Sequence, residues 1–226
     1  MTDPQPGRER ILQRIRAALA GVAAPALPVE PSLCAAGIFA PIPDVLVRFQ
    51  AECEANRTEL YLVDDATAPL RLCDALSAAW AGASVETSGA RRIYFQDAPV
   101  LRRLAAQLPF PWPERLAWSS GGPVQDFDCA AVTLAEAIVA RTGSVLISTA
   151  GGGRAASVLP PAHVVYAAAS QLVAEIDQAL AQARERVPGA SLLSLITGPS
   201  RTSDIEKKLV FGAHGPRRLV VLLRVD

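Results

Sequence analysis

The chain is poor in the residues that build metal centres, and it carries no surplus charge. It has four cysteines and two histidines in 226 residues. Cys34, Cys53, Cys73 and Cys129 are scattered, with no Cys-x-x-Cys pair, whereas zinc and iron–sulfur sites draw on closely spaced thiolates. The four cysteines therefore read as small buried hydrophobes, and no metal site is expected in the chain. Lys plus Arg and Asp plus Glu both total 22, so no net field draws nucleic acid or an anionic membrane. No apolar run approaches the ~20 residues of a membrane-spanning helix. The start of the chain, with Asp3, Arg8, Glu9 and Arg10, lacks the apolar core of a secretory signal, and a cytoplasmic location is the expectation. Aromatic residues make up 5%, while half the residues are hydrophobic and rich in Ala, Leu and Val. That composition suits parallel strands buried beneath helices.

Against these absences stands a regular alternation of elements. Arg8–Ala20 puts Ile11, Leu12, Ile15 and Leu19 on one stripe, with Arg10, Arg14 and Arg16 largely opposite, which predicts an amphipathic helix. Pro25, Pro28, Pro31, Pro41 and Pro43 exclude a long helix after it. Residues 1–43 thus read as a helix with a Pro-rich arm, and 44–226 as a single α/β domain. Within that domain helices are predicted over Asp44–Asn56, Ala66–Ala81, Ala98–Leu108 and Ser170–Arg186. Strands are predicted over Glu59–Val63, Arg92–Phe95, Arg115–Trp118, Phe127–Val132, Ser144–Thr149 and Val164–Ala168. Thr133-Leu-Ala-Glu136 has the spacing of a capping box and predicts a further helix to Thr142-Gly143. The fold class expected is a three-layer α/β arrangement, a mostly parallel sheet with helices on both faces.

The chain closes on the pattern strand, turn, helix, turn, strand over residues 191–224. Gly198-Pro199 ends the first strand, Ser203 with Glu206 forms a capping box, and Gly212 suits the helix end. Gly198, Ser200, Arg201, Thr202 and Ser203 make a turn rich in hydroxyls and N–H groups ahead of a helix N-terminus, which can hold an anion. A second turn, Gly151, Gly152 and Gly153 followed by Arg154, exposes bare backbone N–H groups. Arg154 and Arg201 offer charge-assisted bonds to a carboxylate or phosphate, and both turns are expected beyond the carboxyl ends of the strands. An ordinary helix cap and a permissive turn use the same residues, and the glycines lack the spacing of a nucleotide fingerprint. His214 follows Asp204 by ten residues, about 15 Å along a helix, and a β-α-β unit would return it to the opposite sheet edge. It reads as a turn or interface histidine. His163 precedes a strand whose direction decides its edge. No Ser–His–Asp set, paired carboxylates or metal-ligand spacing identifies catalytic residues.

The run Thr197-Gly-Pro-Ser-Arg-Thr-Ser-Asp-Ile-Glu206, continued through Gly212-Ala-His-Gly-Pro216, resembles the C-terminal signature of the LUD-domain family of lactate-utilisation proteins. The likeness extends to Ala140-Arg-Thr-Gly-Ser144, Gly151–Arg154, Ser157-Val-Leu-Pro-Pro-Ala-His163 and the Arg10–Leu19 segment. The resemblance implies a fold like that of phosphosugar isomerases and CoA transferases. It also implies work beside iron–sulfur partner proteins in oxidising L-lactate to pyruvate, with the clusters in the partners and none in this chain, and a small organic or phosphorylated anion as ligand. One departure bears on chemistry: family members commonly carry glutamate before Thr-Gly, and this chain has Arg141 there. A positive charge disfavours acyl transfer through a carboxylate at that position. Two further readings stay open, an independent enzyme on a phosphosugar isomerase, CoA transferase or cyclo-ligase-like scaffold, and a binding or regulatory module.

Overall fold

The computed structural model describes residues 5–21, 39–82, 91–125, 128–150, 154–202, 210–211 and 214–225. The chain divides into two compact units, residues 1–40 and 41–226. The first contains α1 (Gln5–Leu19), which carries Ile11, Ile15 and Leu19 exposed along one stripe.

The second unit is built on six parallel strands: β1 (Glu59–Val63), β2 (Arg92–Phe95), β3 (Leu116–Trp118), β4 (Asp128–Leu134), β7 (Ala162–Ala168) and β12 (Arg218–Arg224). Their order is β1-β12-β7-β4-β2-β3, so the two longest apolar runs sit in the middle, covered on both faces. Alternation along the strands separates two cores. Ala162, Val164, Tyr166, Val220 and Leu222 meet α3 (Ala68–Ala81) and α4 (Pro99–Ala105) through Leu72, Leu76, Leu101 and Leu104. Val165, Ala167, Leu219, Val221 and Leu223 meet α2 (Val45–Ala55) through Phe49 and Cys53. Asp44 caps α2 by accepting from the N–H groups of Leu46 and Val47. The predicted α/β class, with helices on both faces of a mostly parallel sheet, is what the chain adopts.

The second face carries more than α2. A four-stranded mixed sheet, in the order Leu172–Val173, Ala137–Val139, Ser144–Ser148, Leu193–Ile196, also lies against it. Its strands are β5 (Ala137–Val139), β6 (Ser144–Ser148), β8 (Leu172–Val173) and β9 (Leu193–Ile196), and α5 (Ile176–Arg186) covers its outer side through Ala179 and Ala183. Three sequence-based expectations are corrected here. The helix predicted from Thr133 to Gly143 is instead the end of β4, strand β5 and a turn. Its small and β-branched residues are buried on both sides, and packing overrides their Ala-rich helix preference. The capping-box side chains are used elsewhere: Thr133 Oγ1 bonds His163 and the Glu136 carboxylate accepts from Ser148 Oγ. The helix predicted over Ser170–Arg186 starts only at Ile176, because Leu172 and Val173 pair with β5. The closing β-α-β unit is not formed as predicted either. β9 runs antiparallel to β6 in the second sheet, whereas β12 enters the first sheet between β1 and β7. Arg201–Thr202 (β10) pairs antiparallel with Val210–Phe211 (β11), and the predicted caps at Ser203, Glu206 and Gly212 lie outside the described residues.

The two sheets are registered by the end of α2. Asn56 donates through Nδ2 to the Thr142 carbonyl at 3.0 Å. Gly143, at φ +64, and Gly198, at φ +74, both press on this turn: a Cβ at Gly143 would lie 2.7 Å from Glu52 Cβ, and one at Gly198 2.4 Å from the Asn56 carbonyl oxygen. A hydroxyl chain, Thr142 Oγ1 to Ser144 Oγ at 2.7 Å and Ser144 Oγ to Thr197 Oγ1 at 2.6 Å, joins the two glycine turns. Left-handed backbone costs a non-glycine residue about 1–3 kcal/mol before any clash. Gly198→Ala should therefore lower unfolding stability by more than about 2 kcal/mol. Gly189→Ala, with nothing within 4 Å of the added atom, should stay within about 0.5 kcal/mol of the parent. Urea denaturation of the two variants checks this; equal losses would remove the close approach as the cause.

Candidate functional site

A cavity of about 170 Å³ opens between the two sheets, at the amino ends of β7 and β12. Its buried end is formed by His163, Leu219, Gly198 and Pro199. Its more accessible end is formed by Ser157, Ser200, Gly215 and the exposed His214. Backbone bonds stitch the walls together: Ser200 N–H donates to the Pro216 carbonyl at 2.8 Å, and Arg217 N–H to that of Pro161 at 2.8 Å. Gly215 passes so close to Ser200 that an added Cβ would lie 3.2 Å from the serine Cβ.

His163 is the unusual group. It is fully buried in an otherwise apolar strand, and its Nε2 lies 2.8 Å from Thr133 Oγ1. Its Nδ1 is buried and has no hydrogen-bond partner among the described residues. Burial pushes the imidazole pKa down from 6.5 to about 4, because no counter-charge offsets the loss of hydration. At neutral pH the ring is therefore uncharged, and Nδ1 is a donor or an acceptor according to the role Nε2 takes with Thr133.

The predicted site residues distribute as follows. Gly198 and Ser200 line the cavity, and Arg201 follows them as an exposed residue. Arg154 is also exposed and begins the short helical turn that ends at Ser157, which lines the same cavity. Gly151, Gly152, Gly153 and Ser203 lie outside the described residues, as does the side chain of Thr202. Gly198 and Ser200 thus lie at the amino edge of the parallel sheet and not the carboxyl edge expected of them, whereas β6, which leads toward Gly151, ends beside the start of β9, at the other end of that antiparallel pair from Gly198. β9 ends at that edge because it belongs to the second sheet. The same correction moves His214 beside Gly198 and Ser200, on the edge from which it was excluded, and brings Arg217 to that edge too. The carboxyl edge has a depression of its own, about 240 Å³, lined by Asp65, Arg103, Tyr166 and Arg224 among others. Although larger, it contains no described residue of either predicted turn, and its Arg224 is paired with Asp65 at 3.3 Å.

Other groups singled out by the sequence serve structure. Arg141 makes a bidentate ion pair with Glu175, which raises the guanidinium pKa and lowers that of the carboxyl. Burial pushes the Cys53 thiol up to about 12 and the Cys129 thiol up to about 11, far from the thiolate that a metal requires. Among the described residues no three His, Cys, Asp or Glu side chains gather as metal ligands. No described helix is long and apolar enough to cross a membrane. Sequence reasoning left the edge and role of His163 open; the signal for its burial was a lone polar side chain in Ala162-His-Val-Val-Tyr-Ala-Ala168.

Known proteins agree with this fold. The LUD domain model matches residues 46–223, and the chain belongs to the LUD domain family. Proteins named lactate utilization protein C are similar to it. That of Geobacillus thermodenitrificans is 34% identical over 137 residues, 54% of this chain and 57% of its own length. That of Bacillus subtilis is 30% identical over 142 residues, again 54% and 57%. The chain's matches to such relatives thus span about half of their length. A crystal structure of a DUF162 family protein from Deinococcus radiodurans superposes with a TM-score of 0.55 at 21% identity, covering 80% of this chain and 96% of that one.

The buried neutral imidazole sets a pH dependence of stability. An unfolded histidine titrates near ~6.5, and the folded His163 near about 4. Between these values the unfolded chain binds a proton that the native chain does not. Its stabilising contribution is therefore complete above the unfolded pKa, declines by up to ~1.4 kcal/mol per pH unit on acidification through this window, and levels off below the folded pKa. The difference in urea midpoint between the parent and His163→Gln should shrink from about pH 7 to about pH 4.5. Parallel loss in both proteins would mean that another group governs acid sensitivity.

Proposed function

We propose that this chain is a lactate-utilisation protein that holds the organic acid while iron–sulfur partner proteins receive the electrons. L-lactate becomes pyruvate by losing two electrons and two protons; the electrons pass to clusters carried by the partners. The observation that carries this reading is the family match across residues 46–223, together with relatives named lactate utilization protein C. The residues themselves support a binding role. A cavity of about 170 Å³ is smaller than the ~300–1,000 Å³ typical of drug-sized ligands, so it suits a molecule of few atoms and not a nucleotide. No Asp or Glu is among its described lining residues, which disfavours carboxylate-driven acyl transfer by them. Arg154 and Arg201, exposed beside Ser157 and Ser200, supply positive charge at the approach to the anion site, to which Gly151, Gly152, Gly153, Thr202 and Ser203 are also assigned from the sequence.

Two measurements test this reading. The purified chain should contain no stoichiometric iron and should not oxidise L-lactate with a dye acceptor; adding the iron–sulfur partner proteins should give turnover. Robust lactate oxidation by the chain alone would overturn the subunit role. Because both arginines are exposed, Arg154→Ala and Arg201→Ala should each weaken lactate binding only a few-fold, less than the ~10–150-fold of a desolvated charged contact. The effect should fade at high salt. Arg71→Ala, on the helix over the opposite sheet face, should leave binding unchanged. Equal affinity in all three variants would remove the arginines from the site.

A further inference from the structure

The cavity between the sheets joins three features. Its wall contains a fully buried imidazole whose Nδ1 has no partner among the described residues. Its accessible end offers the Ser157 and Ser200 hydroxyls and the exposed His214. No Lys, Arg, Asp or Glu is among its described lining residues. Its 170 Å³ is the share of about six water molecules in liquid, at ~30 Å³ each. An ionised carboxylate at the buried end would have no described lining residue to neutralise it; it belongs at the hydroxyl end. What reaches inward must be small, uncharged and able to hydrogen-bond a neutral imidazole, with an apolar part against Ile196 and Leu219.

We propose that this cavity is the acid-binding site and that His163 reads the oxygen on the carbon next to the carboxylate, selecting three-carbon 2-hydroxy and 2-oxo acids over the plain acid. The inference rests on the lactate-utilisation reading only for the identity of the acid. A hydroxyl complements either ring tautomer, since it both donates and accepts. A carbonyl complements only Nδ1–H, which requires Thr133 Oγ1 to donate to Nε2 at their 2.8 Å separation. The Thr133 hydroxyl, which can rotate, therefore lets one pocket accept both members of an alcohol–ketone pair. Propionate has the same carbon skeleton without that oxygen, and it leaves Nδ1 dry and unpaired.

The test is calorimetric titration of the whole chain with L-lactate, pyruvate and propionate, alongside 15N spectra of the histidine side chains. Lactate and pyruvate should bind at least about tenfold more tightly than propionate, and lactate should move the His163 Nδ1 resonance. His163→Phe should bind lactate and propionate alike. Because that substitution strands the Thr133 hydroxyl and can prevent folding, Ser157→Leu, which fills the accessible end of the cavity, is the second variant and should lose lactate binding. Equal affinities in the parent, no lactate binding, or lactate binding with unmoved His163 resonances would each overturn the proposal. Its fate separates from that of the functional reading. A chain that binds lactate and supports partner-dependent oxidation, yet shows no preference over propionate and unmoved His163 resonances, refutes this site alone. A chain that binds lactate selectively yet adds nothing to oxidation refutes the lactate-utilisation role alone.

Discussion

The close approach of α2 to two glycine turns is the constraint on which the rest of the unit depends. Gly143 and Gly198 lie in turns beside different strands of the second sheet, before β6 and after β9, yet both rest on the same turn of backbone between Glu52 and Asn56. A side chain at either position would push the sheet away from the helix. With the contact made, β6 and β9 lie in register with each other, and Ile196 and Val145 reach the core formed by Val165, Leu219 and Val221. The glycines that look like ligand loops in the sequence thus act first as spacers between layers. The hydroxyl chain through Thr142, Ser144 and Thr197 holds the same junction closed.

The cavity is a consequence of that junction. Two sheets packed face to face diverge where β9 ends and β7 and β12 begin, and the crevice is walled by the turns that follow and precede them. Open parallel sheets gather ligands at their carboxyl ends because the connections splay apart there. A second sheet laid over one face provides a separate crevice at the amino ends. Within it, His163 is kept neutral by burial and oriented by a single hydroxyl. Such a group discriminates by hydrogen bonding and not by charge, while the arginines remain outside in water.

Much of the architecture was legible from period and punctuation. Glu59–Val63 and Arg92–Phe95 are found at the strand bounds the sequence predicts, and the helices at Val45 and Ala68 begin within two residues of expectation. The failures share one cause. Thr133-Leu-Ala-Glu136 has the local chemistry of a helix start, but burial between layers assigns Thr133 to His163 and Glu136 to Ser148. Nothing local distinguishes the two outcomes, because the partners lie 30 and 12 residues away. The edge on which Gly198 and His214 meet was unreadable for the same reason: it depends on β9 joining the second sheet and β12 the first. Family wording drew attention to Gly198 and Ser200 without revealing what they surround, and His163 was left without a role because the direction of the strand after it could not be read locally.

A crystal structure of the chain grown with L-lactate tests the central claim most directly. The account predicts lactate between the two sheets, its C2 hydroxyl within hydrogen-bond distance of His163 Nδ1 and its carboxylate toward Ser157 and Ser200. Lactate bound instead at the carboxyl edge beside Arg103 and Arg224, with nothing in the cavity at saturating concentration, would contradict it.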